Sequence, residues 1–185
     1  MIETERLIIR PPTFTDANAM QAMKEANWEE LQKWMSWTSD SQYDMDATID
    51  FITQFAPNDR TKGGLILFAF HKGSGDLVMI GGLNSTDTPN VLSTGYWGNI
   101  QYLGHGYATE MTRSVIDFAF AHHGTEKLLI DYYEGNNASK RVIEKCGFQF
   151  VETLPKNHKS FATGEMMDEH RYAMTRNQWQ RHRQP

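Results

Sequence analysis

The stretch Gln101-Tyr102-Leu103-Gly104-His105-Gly106-Tyr107-Ala108-Thr109-Glu110 joins a β-like run to a long helical pattern. The run before it, Val91 to Asn99, reads as a strand set off by Thr88-Pro89-Asn90. After it, Met111, Val115, Phe118 and Ala119 recur at i, i+4, i+7 and i+8, and Gly124 marks the stop. Two glycines at the corner let a backbone approach a ligand closely. The helix start behind them offers N–H groups without internal partners, and its dipole favours negative charge. Together these features predict a cradle for a pyrophosphate. Two common nucleotide loops are excluded. G-x-G-x-x-G fails because Thr109 stands at its third glycine position, and G-x-x-x-x-G-K-[ST] is absent. Taken alone, the stretch equally describes a glycine-capped turn that binds nothing.

Towards the C-terminus, Lys127 to Tyr133 is a β-run. Ala138, Val142, Ile143 and Cys146 form a short helix face closed by Gly147. Asn136 or Asn137 suits its N-cap, and Ser139 falls in its first turn. Phe148 to Leu154 and His170 to Thr175 follow as strands. Towards the N-terminus, Leu65 to His71 and Leu77 to Leu83 flank Lys72-Gly73-Ser74-Gly75-Asp76, a hairpin signature that begins after Gly63-Gly64. Asp46 to Phe55 reads as a helix ended by Pro57. Trp28 to Trp37 places Leu31, Trp34 and Met35 on one helical face. Ala17 to Ala26 forms a separate helix capped by Thr15 or Asp16. Arg6 to Arg10 is a first strand, stopped by Pro11-Pro12. The order β, helices, β-β-β, helix, β, helix, β-β predicts one mixed α/β domain over residues 1–180, with 181–185 as a frayed tail.

A chain of 185 residues suits a single domain. Its 39% hydrophobic and 12% aromatic content excludes a mainly disordered chain. A net charge of −5 disfavours nucleic acid as a partner and is compatible with cationic or amine substrates. Cys146 is the single cysteine, which precludes an intramolecular disulfide and a cysteine zinc cluster. No apolar run is long enough to span a membrane, and Met1 to Arg6 is polar and acidic, unlike a signal peptide. These features predict a cytoplasmic protein without membrane partners. His122 and His123 are adjacent and point to different helix faces, so no metal site is expected. The ten methionines read as gap-fillers of the core.

Five segments in order resemble the GNAT superfamily of N-acetyltransferases, most closely its RimJ/RimL-type branch. Gln101-x-x-Gly104-x-Gly106 resembles the acetyl-CoA pyrophosphate loop, Q/R-x-x-G-x-G/A. Asn136-x-x-Ser139, running on to Gly147-Phe148, resembles the branch's second signature. Gly95-Tyr96-Trp97, Glu30-Leu31-x-x-Trp34-x-x-Trp37 and Arg171 to Thr175 resemble its fourth strand, its acceptor-side helices and its last strand. The resemblance implies a twisted, mostly antiparallel sheet with helices on both faces, splayed between the fourth and fifth strands, here Val91 to Asn99 and Lys127 to Tyr133. Acetyl-CoA would lie in that opening. Gln101, Leu103, Gly104, His105, Gly106, Tyr107 and Ala108 would form its pyrophosphate turn, and the pantetheine arm would pair with Val91 to Ile100 as an added strand. Asn136 would contact the cofactor near the thioester, and Ser139 would bind there and hand a proton to the leaving thiolate. No metal is implied. The acceptor would be a primary amine, either a protein N-terminus such as that of a ribosomal protein or a small amine. The protein would act as a monomer or homodimer.

Two departures stand out. Ile143 occupies the position where the wider superfamily often carries an acidic tyrosine. Ser93 and Thr94 occupy strand positions where a carboxylate is often found. The missing pair leaves a non-catalytic CoA-binding module as the alternative reading. Asp131, Glu134, His105 and Glu30 are substitute bases, each with an ordinary surface role as its rival. Trp34 is expected in the core, while Trp37 suits either the core or a wall of the acceptor pocket. Cys146 sits on an apolar helix face, which argues against a covalent route.

Overall fold

In the computed structural model residues 1–55 and 64–182 are described, so the expected helix stop at Pro57 and Gly63 lie outside them. Strand β1 (Ile2–Glu3) pairs with β2 (Leu7–Arg10). Helices α1 (Ala17–Trp34) and α2 (Met45–Phe55) follow, then β3 (Gly64–His71), β4 (Leu77–Ser85) and β5 (Val91–Gly98). Helix α3 (Tyr107–His122) leads to β6 (Lys127–Tyr133), and α4 (Asn137–Lys145) leads to β7 (Gln149–Lys159), β8 (Met166–Thr175) and α5 (Arg176–His182). The sheet order is β1-β2-β3-β4-β5-β6-β8-β7, antiparallel except between β5 and β6.

Alternation along the strands gives the sheet two apolar faces. Met111, Val115, Ala119 and Phe120 of α3 and Ile143 of α4 cover one, against Leu67, Val78, Leu128 and Ile130. Met20, Met23 and Leu31 of α1 and Ile52 of α2 cover the other, against Phe68, Ile80 and Trp97. β4 lies in the middle and is buried from Leu77 to Leu83. The mixed α/β domain with helices on both faces is the expected one.

Three differences have physical causes. The two expected N-terminal helices are one, because Asn27 in the middle is buried and held from both sides. Its amide donates to the Met23 carbonyl, and its Oδ1 accepts from the Ile100 N–H at 2.6 Å. Tertiary bonds thus override the weak helix propensity of Asn. The last two strands are longer than expected, since pairing with β8 sustains β7 although nearly all of it is exposed and shows no apolar alternation. Helix α5 was not anticipated. Arg176 starts it by donating to the Phe120 and Thr125 carbonyls near the C-terminal end of α3, where a cation is favoured. Arg181 and His182 belong to α5, and the rest of the expected tail, 183–185, lies outside the described residues.

The β7–β8 hairpin closes onto the end of α1. Ala162 N–H donates to the Gln32 carbonyl, and His158 stacks on Tyr133 with ring centroids 3.6 Å apart. His158 is buried, and its Nε2 meets no partner among the described residues. Desolvation pushes its pKa below the ordinary 6.5, partly offset by a backbone hydrogen bond with Lys33. The folded state therefore binds fewer protons here than the unfolded chain, and stability falls as pH drops. The loss begins near the unfolded value of about 6.5 and is complete below the lowered folded value. His158→Phe keeps the stacked ring without the charge. Its melting temperature is expected to fall less than the wild type's between pH 7.5 and 5; equal slopes would exclude His158 as a source of the acid sensitivity.

Candidate active site

The parallel pairing of β5 with β6 is brief. It runs from Val91↔Lys127 to Thr94↔Ile130 and then stops. Beyond that point β5 stays with β4, through Met79↔Gly98, while β6 stays with β8, through Tyr133↔Glu169. The sheet therefore splits after Thr94, and β5 has a free edge from Gly95 onward. A cleft of about 660 Å³ opens there. Leu103, Gly104, Gly106, Tyr107 and Ala108 line one end of it, Asn136 and Ser139 line the middle, and Trp34 and Trp37 stand on the α1 side. Gln101 and His105 are exposed and lie outside the lining.

The end near α3 is built for an anion. Gly104 and Gly106 have φ of +81° and +85°, a left-handed conformation that side chains resist. A Cβ built on Gly104 would meet nothing within 4 Å, so the corner is open. The first bond of the helix runs from the Glu110 N–H to the Gly106 carbonyl at 3.0 Å. That leaves the Tyr107, Ala108 and Thr109 amides without helical acceptors. The Tyr107 side chain is turned into the core, so only its backbone is offered. A chain of aligned amides with no side chain in front of it fits a diphosphate.

One feature of this corner was not anticipated. Glu110 lies in the first turn of α3, where its charge would repel an anion. Thr4 and Arg6 neutralise it. Thr4 Oγ1 donates to Glu110 at 2.5 Å, the Arg6 N–H at 2.9 Å and the Arg6 guanidinium at 2.6 Å. Burial alone would push this carboxyl up, but these bonds outweigh it and hold Glu110 below the usual range. The same guanidinium donates to the His105 carbonyl at 2.8 Å and lies 4.3 Å above the Tyr107 ring. Arg6 thus braces the corner from the turn between β1 and β2, about 100 residues earlier in the chain.

In the middle of the cleft, Asn136 caps α4 by accepting from the Ser139 N–H at 3.1 Å. Its Oδ1 is used by the cap. Ser139 Oγ lies 3.3 Å from the Tyr96 hydroxyl, which projects from the free part of β5. Thr94 is buried and donates to the Gly82 carbonyl at 2.7 Å, a structural tie. Ile143 is fully buried in the core.

The α1 side carries aromatics and carboxylates. Trp34, expected in the core, is half-buried and lines the cleft, because its ring reaches across to Gly135 and its Nε1 donates to Glu30 at 2.8 Å. Trp37 also lines the cleft and packs against Trp97 and Trp28, with centroids 5.8 and 6.2 Å apart. Among the substitute bases, Glu30 and Asp131 line the cleft, and both are occupied. Lys33 and Trp34 hydrogen-bond to Glu30 and hold it below the usual carboxylate range. Arg171 takes both oxygens of Asp131 at 3.0 Å. His105 and Glu134 are exposed and lie outside the lining. Cys146 is buried, and burial pushes its thiol up to about 11, which keeps it in the inert protonated form. Among the described residues, no group of three or more His, Cys, Asp or Glu side chains is placed to hold a metal ion, and no helix is long and apolar enough to cross a membrane.

The chain resembles known proteins in sequence and in fold. The chain is 29% identical over 106 residues to FsC-acetyl coenzyme A-N(2)-transacetylase of Aspergillus fumigatus, an alignment covering 55% of this chain and 45% of that one. The chain thus matches less than half of that relative's length. It is 23% identical over 175 residues to the probable N-acetyltransferase YjcK of Bacillus subtilis, covering 86% and 89% of the two chains. Its fold is similar to that of the ribosomal-protein-S5-alanine acetyltransferase of Vibrio fischeri, with a TM-score of 0.85, 17% identity, and 96% and 97% of the chains covered. Residues 6–149 match the family profile described as an acetyltransferase (GNAT) domain. With a split sheet and a glycine corner ahead of α3 inside that span, the chain belongs to the GNAT acetyltransferase domain family.

Proposed function

We propose that this chain transfers the acetyl group of acetyl-CoA to a primary amine by direct attack within a ternary complex. The observation that carries this reading is the shared cleft: free amides at one end, an unpaired strand edge in the middle, and aromatic and acidic side chains at the other. The amides from Leu103 to Ala108 hold the pyrophosphate. The free edge of β5 takes the pantetheine arm as an added strand. The thioester then lies between Gly95–Tyr96 and Asn136–Ser139. A neutral amine attacks the carbonyl carbon, the C–N bond forms, and the C–S bond breaks with its electrons on sulfur. The amine loses one proton and sulfur gains one. With Glu30 and Asp131 tied to cationic or N–H partners, the amine's proton leaves through water.

The acceptor is a protein N-terminus or a small amine. The similarity in fold to a ribosomal-protein acetyltransferase supports the first, and Glu30 and Asp131 at the acceptor end favour a substrate that arrives as a cation. Acetyl-CoA consumption measured against a panel of amines and ribosomal-protein N-terminal peptides tests the reading. Turnover is expected. CoA binding by calorimetry with no turnover across the panel would favour a non-catalytic module, a reading to which Ile143 and Thr94 lend some weight. Cys146→Ala is expected to keep turnover, since its thiol is buried and protonated. A folded Cys146→Ala variant without activity would overturn direct transfer.

A further inference from the structure

We infer that Tyr96 is a positioning residue that turns the Ser139 hydroxyl towards the CoA sulfur. The inference rests on the acetyl-CoA reading above and deepens it at the leaving group. Tyr96 stands two residues past Thr94, the last residue of β5 paired with β6, so its ring enters the cleft where the sheet has opened. Its hydroxyl lies 3.3 Å from Ser139 Oγ, and the geometry allows either to donate.

The chemistry of the two groups sets the direction: a phenol is the stronger donor and weaker acceptor of the two hydroxyls, so Tyr96 donates and Ser139 accepts. Tyr96 is half-buried, and burial pushes its phenol up to about 12, so it keeps its proton. Ser139 has its own N–H engaged by Asn136, which anchors the residue in the first turn of α4. A hydroxyl that accepts from Tyr96 has its single proton free to point into the cleft. The fixed donor thus makes Ser139 a donor in turn, aimed at developing negative charge.

The proton count closes. Both hydroxyls are weaker acids than a thiol, so both begin and end the reaction protonated. As the C–S bond breaks, sulfur takes the Ser139 proton while Tyr96 goes on donating to the Ser139 oxygen. The proton that the amine releases, carried by water in the cleft, restores Ser139. This phenol comes from a strand, while position 143 on α4 holds a buried isoleucine.

The test needs no acceptor. CoA and desulfo-CoA, in which hydrogen replaces the thiol, are titrated by calorimetry from pH 7 to 9.5. The wild type is expected to favour the thiolate, so CoA gains affinity over desulfo-CoA as pH rises. Tyr96→Phe and Ser139→Ala are each expected to reduce that gain about ten-fold, the loss of a hydrogen bond to a charged atom. Their combination should lose no more than either alone, and any loss of desulfo-CoA affinity is shared by CoA and so drops out of the gain. Ser139→Thr, which restores a hydroxyl, should recover the gain. A wild-type gain that Tyr96→Phe leaves intact, or losses that multiply in the double variant, would overturn the inference alone. A wild type that binds neither ligand would overturn the acetyl-CoA reading and this inference with it.

Discussion

Gly106→Val is expected to weaken CoA binding by about 100-fold or more while the protein remains folded. The estimate comes from the corner's geometry. Gly106 sits at the N-cap of α3 with φ +85°, and a β-branched residue there costs roughly 1–3 kcal/mol of strain or shifts the backbone out of place. Hydrogen bonds from amides to an anion are worth about 1.5–3 kcal/mol each, so misaiming even two loses a factor of about 100. Space inside the fold is not the obstacle, since the nearest atom to a Cβ at this position is Arg6 Nη2 at 3.5 Å, an ordinary contact. Gly124 offers the matching control. It follows α3 at the other end, with φ +61° and nothing within 4 Å of its Cβ. Gly124→Val should cost similar stability and leave CoA affinity alone. Calorimetry on both variants decides. Unchanged affinity in a folded Gly106→Val would remove the diphosphate from this corner. Gly104→Val should behave like Gly106→Val, because φ is +81° and its Cβ would enter the open cleft.

The corner was legible in the sequence because its constraints are local. Two glycines, a following apolar stripe at helical spacing and a preceding strand lie within thirty residues, and each element appears close to where it was expected. The strand Lys127–Tyr133 likewise coincides with its apolar run, since hydrogen bonds on both edges and core contact on one face leave it no alternative register. Legibility failed where distant segments decide. Nothing in Met1 to Arg10 announces that Arg6 neutralises Glu110, a pairing made only by folding β2 beside α3. Nor does Gly95-Tyr96-Trp97 reveal which aromatic meets the core: Trp97 is buried against α1, while Tyr96 faces Ser139 on the opposite side of the sheet. Spacing alone also put Trp34 in the core, although its helix continues past Asn27 and carries the ring to the cleft mouth. The missing signals are long-range contacts, which local periodicity does not encode.

Lys24→Met is expected to lower the melting temperature by about 6 °C and to weaken the acceptor end of the site. Lys24 is 2% exposed, an unusual place for an ammonium group. Burial pushes its pKa below the ordinary value, opposed by Asp44 and Glu25. Its Nζ donates to the Gln42 carbonyl at 2.7 Å, the Asp44 carbonyl at 3.1 Å and Thr48 Oγ1 at 2.6 Å. Thr48 passes the interaction on to Gln21 at 2.6 Å. Methionine matches the length of the stem and supplies no donor, so two part-buried carbonyls and the buried Thr48 hydroxyl lose this partner. Leaving an acceptor without its donor costs about 1–3 kcal/mol, and each kcal/mol shifts a domain of this size by roughly 2–4 °C. Lys33→Met is the comparison. Its pair with Glu30 on the same helix is exposed and screened by solvent and contributes little, so its melting temperature should barely move. The functional consequence follows from what Lys24 pins. The segment between α1 and α2 carries Trp37, packed on Trp97, and Tyr43, packed on Trp28 with centroids 4.9 Å apart. Loosening that segment disturbs the aromatic wall at the acceptor end and leaves the glycine corner untouched. The KM for the amine should therefore rise in Lys24→Met while the Kd for CoA stays constant. Equal losses at both ends would mean that Lys24 supports the whole fold and has no particular hold on the acceptor wall.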